Sequence, residues 1–375
     1  MSSLPSDAAD AVRAIAFYLP QFHPVPENDA WWGKGFTEWT NVTKARSQFP
    51  GHYQPQLPTD LGFYDLRLPE VREEQAALAR RYGIHGFCYY HYWFSGRRIL
   101  ERPFNEVLAS GKPDFPFCLA WANESWGRNW DGKHHDLLME QKYAPEDPQR
   151  MLEELLPAFH DPRYIRIDNR PLFLVYRIEH LPDARAATQR WREVAKANGL
   201  DGLYLACVQS FRDDLVPADY GCDAAIEFPP GGDLKIDAWW QGSPLRSHTV
   251  RRLMSRLGLL ARGKAENSVF EYSALVDAAM KRPSVAYRRY RGVVPGWDNS
   301  SRRPQGRAKI FINNTPAAYE DWLRRIVEQA RREQPPGERL VFINAWNEWA
   351  EGAHLEPCRK FGHGFLEATQ RALQP

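Results

Sequence analysis

Eight stretches of this chain are apolar with hardly a break. They are "AIAFYLP" (14–20), "IHGFCYYHYW" (84–93), "FPFCLAWAN" (115–123), "PLFLVYR" (171–177), "GLYLACVQ" (202–209), "DAAIEF" (223–228), "GVVPGWDN" (292–299) and "RLVFINAWN" (339–347). Strands covered on both faces read as continuous apolar runs, whereas strands with one wet face alternate. Between the runs lie segments of helical spacing, such as "LPEVREEQAALARRYG" (68–83), with Pro near its start and Gly just past its end, and "AAYEDWLRRIVEQARREQ" (317–334). Eight strands alternating with helices predict an α/β protein, a (β/α)8 TIM barrel. A doubly wound open sheet is the other arrangement of such elements, but no glycine-rich fingerprint follows any strand.

Two connections are long, about 21–65 after the first strand and about 229–269 after the sixth. Both leave the C-terminal end of a strand, the face on which barrel enzymes assemble their sites. Residues 1–12 read as a disordered N-terminal tail. Residues 13–375 read as a single catalytic domain with a basic insertion at about 229–270.

The polar residues at the strand ends share one theme. Tyr18, Gln21 and His23 follow the first strand, Tyr90, His91, Tyr92 and Trp93 the second, and Trp121, Asn123, Glu124 and Trp126 the third. Tyr176 and Arg177 end the fourth, Gln209 the fifth and Glu227 the sixth. Trp297, Asp298 and Asn299 end the seventh, and Asn344, Asn347, Glu348 and Glu351 the eighth. Polar groups in buried strands are costly unless paired. Gathered at one end of a barrel, they describe a site. Many of the 14 Trp and 16 Tyr lie among Asn, Glu and His rather than aliphatics. Flat rings beside hydrogen-bonding groups suit a carbohydrate.

Glu348 and Glu351 stand where a hydrophobic strand ends, in "INAWNEWAEG". If the chain turns helically after Trp346, residues three apart come to one side, roughly 5–6 Å between Cβ atoms. Gly352 would favour such a turn. Carboxylates about 5–5.5 Å apart suit retaining glycoside hydrolysis. The two must differ in pKa, one protonated and one ionised, and the aromatic surroundings of Trp346 and Trp349 would raise one of them. The plainer reading is a helix-start pair favoured by the dipole. The expected substrate contacts are Tyr18, His91, Trp93, Trp121, Asn123, Glu124, Tyr176, Glu227, Trp297, Asp298 and Trp349.

"NEWAEG" (347–352) resembles the Glu-Trp-His-Glu-Gly signature of the family 99 glycoside hydrolases, retaining endo-α-mannosidases and mannanases on a (β/α)8 barrel. "FYLPQFHPVPENDAWWGKGFTEWTNV", "GFCYYHYWFSG", "LAWANESW" and "FINAWNEWAEGAHLEP" look still more like the WbsX group. That group is the family-99-like set of bacterial O-antigen and lipopolysaccharide biosynthesis clusters, often labelled glycosyltransferases. The resemblance implies that Glu348 is a base that deprotonates the substrate's own 2-hydroxyl, which attacks the anomeric carbon to give a 1,2-anhydro sugar. It implies that Glu351 is the general acid and then the base for water. Spacing alone would make Glu348 a direct nucleophile. The family's His between Trp and Glu is Ala350 here, so mannose specificity does not carry over.

Charge and cysteine narrow the partners. Formal net charge is +2, which gives no nucleic-acid signal, although 246–291 carries eleven Lys/Arg against three Asp/Glu. "HTVRRLMSRLGLLARG" (248–263) sets Leu253, Leu257 and Leu260 near one helical face with Arg251, Arg252 and Arg256 around it. Segment 246–264 could therefore touch an anionic membrane surface or a lipid-linked glycan, or simply form a solvated helix over the barrel mouth. Five Cys without paired spacing read as buried thiols of a reducing compartment. "MSSLPSDAADAVR" lacks the apolar core of a signal peptide, so the expected location is cytoplasmic. "KHHD" (133–136) lacks a third ligand at suitable spacing, so neither metal nor cofactor is expected. A glycosyltransferase and a non-catalytic glycan-binding barrel are the alternatives. The usual transferase signs, a Rossmann half and an Asp-x-Asp motif, are missing from the sequence.

Overall fold

The structure is a computed structural model that describes residues 11–128, 133–232, 234, 236, 248–261 and 266–374. The proposed tail at 1–12 falls almost wholly outside these residues, as do much of the basic insertion and the side chains of 133–136.

Each apolar run yields a strand. These are β1 (Arg13–Tyr18), β2 (Ile84–Phe94), β3 (Phe117–Trp121), β4 (Arg170–Val175), β5 (Tyr204–Gln209), β6 (Ala224–Glu227), β7 in two pieces (Arg289–Tyr290 and Gly292–Val293) and β8 (Leu340–Ile343). Neighbours pair in parallel in chain order, and β1 pairs with β8 through Ala14 and Val341. The first piece of β7 pairs with β6 and the second with β8. The sheet thus closes into the expected barrel.

Arg291 sits between the two pieces of β7. Its Nε donates to Glu227 at 2.7 Å, and Arg289 and Arg282 lie 3.2 and 3.4 Å from the same carboxylate. A buried acid needs such partners, because unpaired charge in the interior is expensive. The sequence pattern suggested one strand over 292–299. Pairing stops at Val293, two residues before Pro295, which has no N–H to offer a ladder.

Outside the strands pack the helices Pro69–Arg81, Arg102–Ser110, Asp147–His160, Ala184–Ala197, Tyr272–Met280, Pro316–Glu333 and Gly364–Leu373. Pro316–Glu333 shows why they dock. Tyr319, Trp322, Leu323, Ile326, Val327 and Ala330 recur on one stripe and are buried, and Thr315 caps the first turn by accepting from the Ala318 N–H. Each fully buried Leu, Ile or Val contributes about 1.5–3 kcal/mol by leaving water. The connection after β5 holds only a 3-10 turn, Pro217–Tyr220. Two small sheets were not foreseen: Ser268–Glu271 and Lys309–Ile312 pair in parallel beside the barrel mouth, and Trp126–Arg128 pairs antiparallel with Lys133–Met139. All five cysteines are buried free thiols. No helix among the described residues is long and apolar enough to cross a membrane.

Candidate active site

β8 ends at Ile343, and the chain then folds back on itself. Asn347–Glu348 pairs antiparallel with Ala353–His354 around a 3-10 turn at Trp349–Glu351. Gly352 closes the turn at φ 63°, a left-handed conformation that glycine adopts at little cost. Asn347 pins this hairpin to β1, since its side chain accepts from the Leu19 N–H at 2.7 Å and donates to the Leu19 carbonyl at 3.0 Å. From the other side, Asp298 N–H donates to the Glu351 carbonyl at 2.6 Å and the Ser301 hydroxyl to that of Ala350 at 2.5 Å. The turn puts Glu348 and Glu351 into the wall of one cavity of about 500 Å3 at the C-terminal mouth of the barrel.

Arg302 binds both acids. Its Nη2 lies 3.1 Å from Glu348, its Nη1 lies 3.1 Å from Glu351, and the same Nη2 contacts Glu38. Glu38 belongs to a short helix, Glu38–Lys44, in the long connection after β1, and it accepts from the Ala350 N–H at 3.2 Å. Burial raises the Glu38 carboxyl above its ordinary range, against the pull of Arg302. Glu348 is raised to about 8. Burial is the main cause, with repulsion from Glu351 and Glu38 added and Arg302 opposing. An acid of this kind is protonated over much of the neutral range and can give up its proton when the cavity changes.

The aromatic wall includes Tyr90, Tyr92, Tyr176, Trp32, Trp126 and Trp297, with Phe211 and Phe228 beside them. Of the expected contacts, Glu124, Tyr176 and Trp297 line the cavity, and Glu124 is paired with Arg177 at 2.5 Å. The others do not. Side chains alternate across a strand, so the residues of β2 that face inward are Tyr90 and Tyr92, while His91 and Trp93 point toward the helices. His91 is buried and held down to about 3, and the Trp93 indole donates to Glu154 at 3.0 Å. Trp121 likewise turns outward and donates to the Trp93 carbonyl at 3.1 Å. Asn123 binds the Arg177 backbone at 2.8 Å and ties the ends of β3 and β4. Glu227 is the closing acid of the barrel seam.

Tyr18 and Trp349 belong to a buried network behind the turn. The Tyr18 hydroxyl donates to Gln75 at 2.6 Å, and Gln75 donates to Glu356 at 2.6 Å. Tyr64 and the Trp349 indole donate to the same carboxylate at 2.8 and 2.6 Å. Asp298 accepts from His52 and Gln54, both at 2.7 Å, and so braces the connection after β7. His354 does not take the place of the missing His. It stacks on Trp349 with ring centroids 3.8 Å apart and lines no part of the cavity. Arg302 and Glu38 were not singled out in the sequence, although "GFTEWTNV" contains the latter. Arg302 lies in "NSSRRPQG", which has no apolar period to place it. Among the described residues no group of three or more His, Cys, Asp or Glu could hold a metal ion.

The sequence pattern of the family described as Glycosyltransferase WbsX matches residues 14–369. The chain belongs to the WbsX family. Two relatives from Xanthomonas campestris pv. campestris strains, both described as uncharacterized protein WxcX, are 46% identical over 360 residues, 96% of this chain and 49% of theirs. This WbsX chain therefore spans about half the length of the curated relatives it matches. Among solved structures it is similar to the GH99 endo-alpha-mannosidase from Bacteroides thetaiotaomicron, at 14% identity and TM-score 0.55 over 96% of both chains. It is also similar to a glycoside hydrolase-like protein, at 16% identity and TM-score 0.57 over 100% of this chain and 97% of the other. These likenesses show that the WbsX chain shares the barrel fold of those enzymes.

Proposed function

We propose that the chain is a glycan-active enzyme that cleaves or transfers within a bacterial oligosaccharide or polysaccharide by a retaining, endo-acting mechanism, and that residues 13–375 form its single catalytic domain. The observation that carries the proposal is the entry of Glu348 and Glu351 into one aromatic-walled cavity under the control of a single guanidinium. In this reading Glu348 takes the proton of the sugar 2-hydroxyl as that oxygen attacks the anomeric carbon. Glu351 gives a proton to the departing oxygen and later recovers one from the incoming water or sugar hydroxyl. Glu124, Tyr176 and Trp297 contact the sugar. The exposed Leu253 on the helix His248–Arg256, and the exposed Leu257 and Leu259 in the turn after it, support a peripheral contact with the inner membrane face.

The test is a panel of bacterial oligosaccharides offered with and without nucleotide-sugar donors to the wild type, Glu348→Gln and Glu351→Gln. The proposal expects turnover without any donor. It also expects a loss of about 10²–10⁴-fold in Glu351→Gln, recovered in part on substrates with a good leaving group, for which acid help matters less. Turnover that appears only with a nucleotide donor would instead favour the transferase that the family description names. Unchanged affinity in both variants with no turnover anywhere would leave a glycan-binding barrel.

A further inference from the structure

The charges around the cavity do not cancel where they stand. Its described lining holds three acids, Glu124, Glu348 and Glu351, and three cations, Arg302, Arg303 and Lys309. Every acid is engaged: Glu124 by Arg177, and Glu348 and Glu351 by Arg302. Arg303 and Lys309 have no carboxylate partner among the described residues. Among the described residues the Lys309 ammonium donates to the Pro230 carbonyl at 2.9 Å, and it lies 5.9 and 5.5 Å from the ring centroids of Phe270 and Phe311. Burial lowers its pKa with no acid opposing the shift. A partly enclosed ammonium held by a carbonyl and two rings, at the wall of an open cavity, is suited to receive negative charge.

We propose, on the reading of the site as glycan-active, that the substrate is an anionic glycan whose carboxylate or phosphate is received by Lys309 and Arg303. Both cations lie on the connection after β7, and Trp297 on the same connection lines the same cavity. The sugar ring would rest against that aromatic wall while its charged group turns toward Lys309. The acids on the β8 turn stay with Arg302, so the incoming charge meets the two uncommitted cations rather than the carboxylates.

Binding can be read from the fluorescence of the cavity tryptophans. Oligogalacturonates and hyaluronan oligosaccharides are titrated beside their carboxyl-reduced counterparts, and mannose 6-phosphate beside mannose. At low salt, at least one anionic member should bind roughly 10–100-fold tighter than its neutral counterpart, as expected for a hydrogen bond to a charged group. The advantage should shrink in high salt and vanish in Lys309→Met, while Lys309→Arg retains it. Preference in the carboxylate pairs and in the phosphate pair separates the two anion types. Should Lys309→Met fail to fold, Arg303→Met, outside the small sheet, provides the same comparison with a partial loss. Equal binding of charged and neutral members, or a preference that persists in both Met variants, overturns the proposal and leaves the glycan reading intact. No binding of any sugar overturns both.

Discussion

Arg302 holds two acids that must not behave alike. It lies 3.1 Å from each, and it opposes the burial that raises Glu348 to about 8. A base must lose its own proton before it can take another. If Glu348 is the base, kcat/KM should therefore rise with pH and level off above about 8. If Glu348 instead donates, activity falls through the same point, and the proposed roles of the two acids exchange. Arg302→Gln removes the group that lowers this pKa, so the rising limb should move to higher pH. A pH profile of the wild type and the variant on one substrate checks both statements. At this scale the sequence was half legible. The two Glu were visible because acids directly after an apolar strand conflict with the local pattern. Arg302 and Glu38 were not, because each sits in an irregular connection where no periodicity says which way a side chain points.

The elements show the same division. Every strand run in the sequence became a strand, since burial on both faces leaves a long apolar signature. That signature has no alternation, and so it cannot tell inside from outside. His91 and Trp93 were among the expected contacts and Tyr90 and Tyr92 were not, and the barrel's period of two decided for the tyrosines. The helix expected over 248–263 ends at Arg256, so Leu253 is exposed on the helix while Leu257 is exposed in the turn after it, and Arg251 is buried. If this segment lies on a membrane, the protein should co-sediment with phosphatidylglycerol vesicles and not with phosphatidylcholine, and less so as salt rises. Leu253→Glu with Leu257→Glu should release it. Equal sedimentation of the double variant would remove the membrane contact.

For the molecule as a whole, the number and order of strands were readable, but the manner of closure was not. The last gap in the sheet is bridged by a strand cut in two, with Arg291 in the cut and Glu227 beneath it. Glu227→Gln should leave Arg291 and Arg289 without their counter-charge and lower the unfolding free energy by about 3–5 kcal/mol. That loss would appear as a lower urea midpoint at unchanged slope. An unshifted midpoint would show that the seam does not depend on this acid.

The connection that follows that divided strand carries Trp297, Arg302, Arg303 and Lys309, and hence every described cation of the cavity lining. Glu348 and Glu351 come from the turn after β8, and Glu124 from the end of β3. In the proposed reading, the acids that break the bond and the cations that receive the polymer's charge thus stand on different connections, with Arg302 reaching from one to the other. A relative that changes Arg303 and Lys309 but keeps Arg302 would, on this proposal, accept a new class of polymer while inheriting the same paired acids and the guanidinium that holds them.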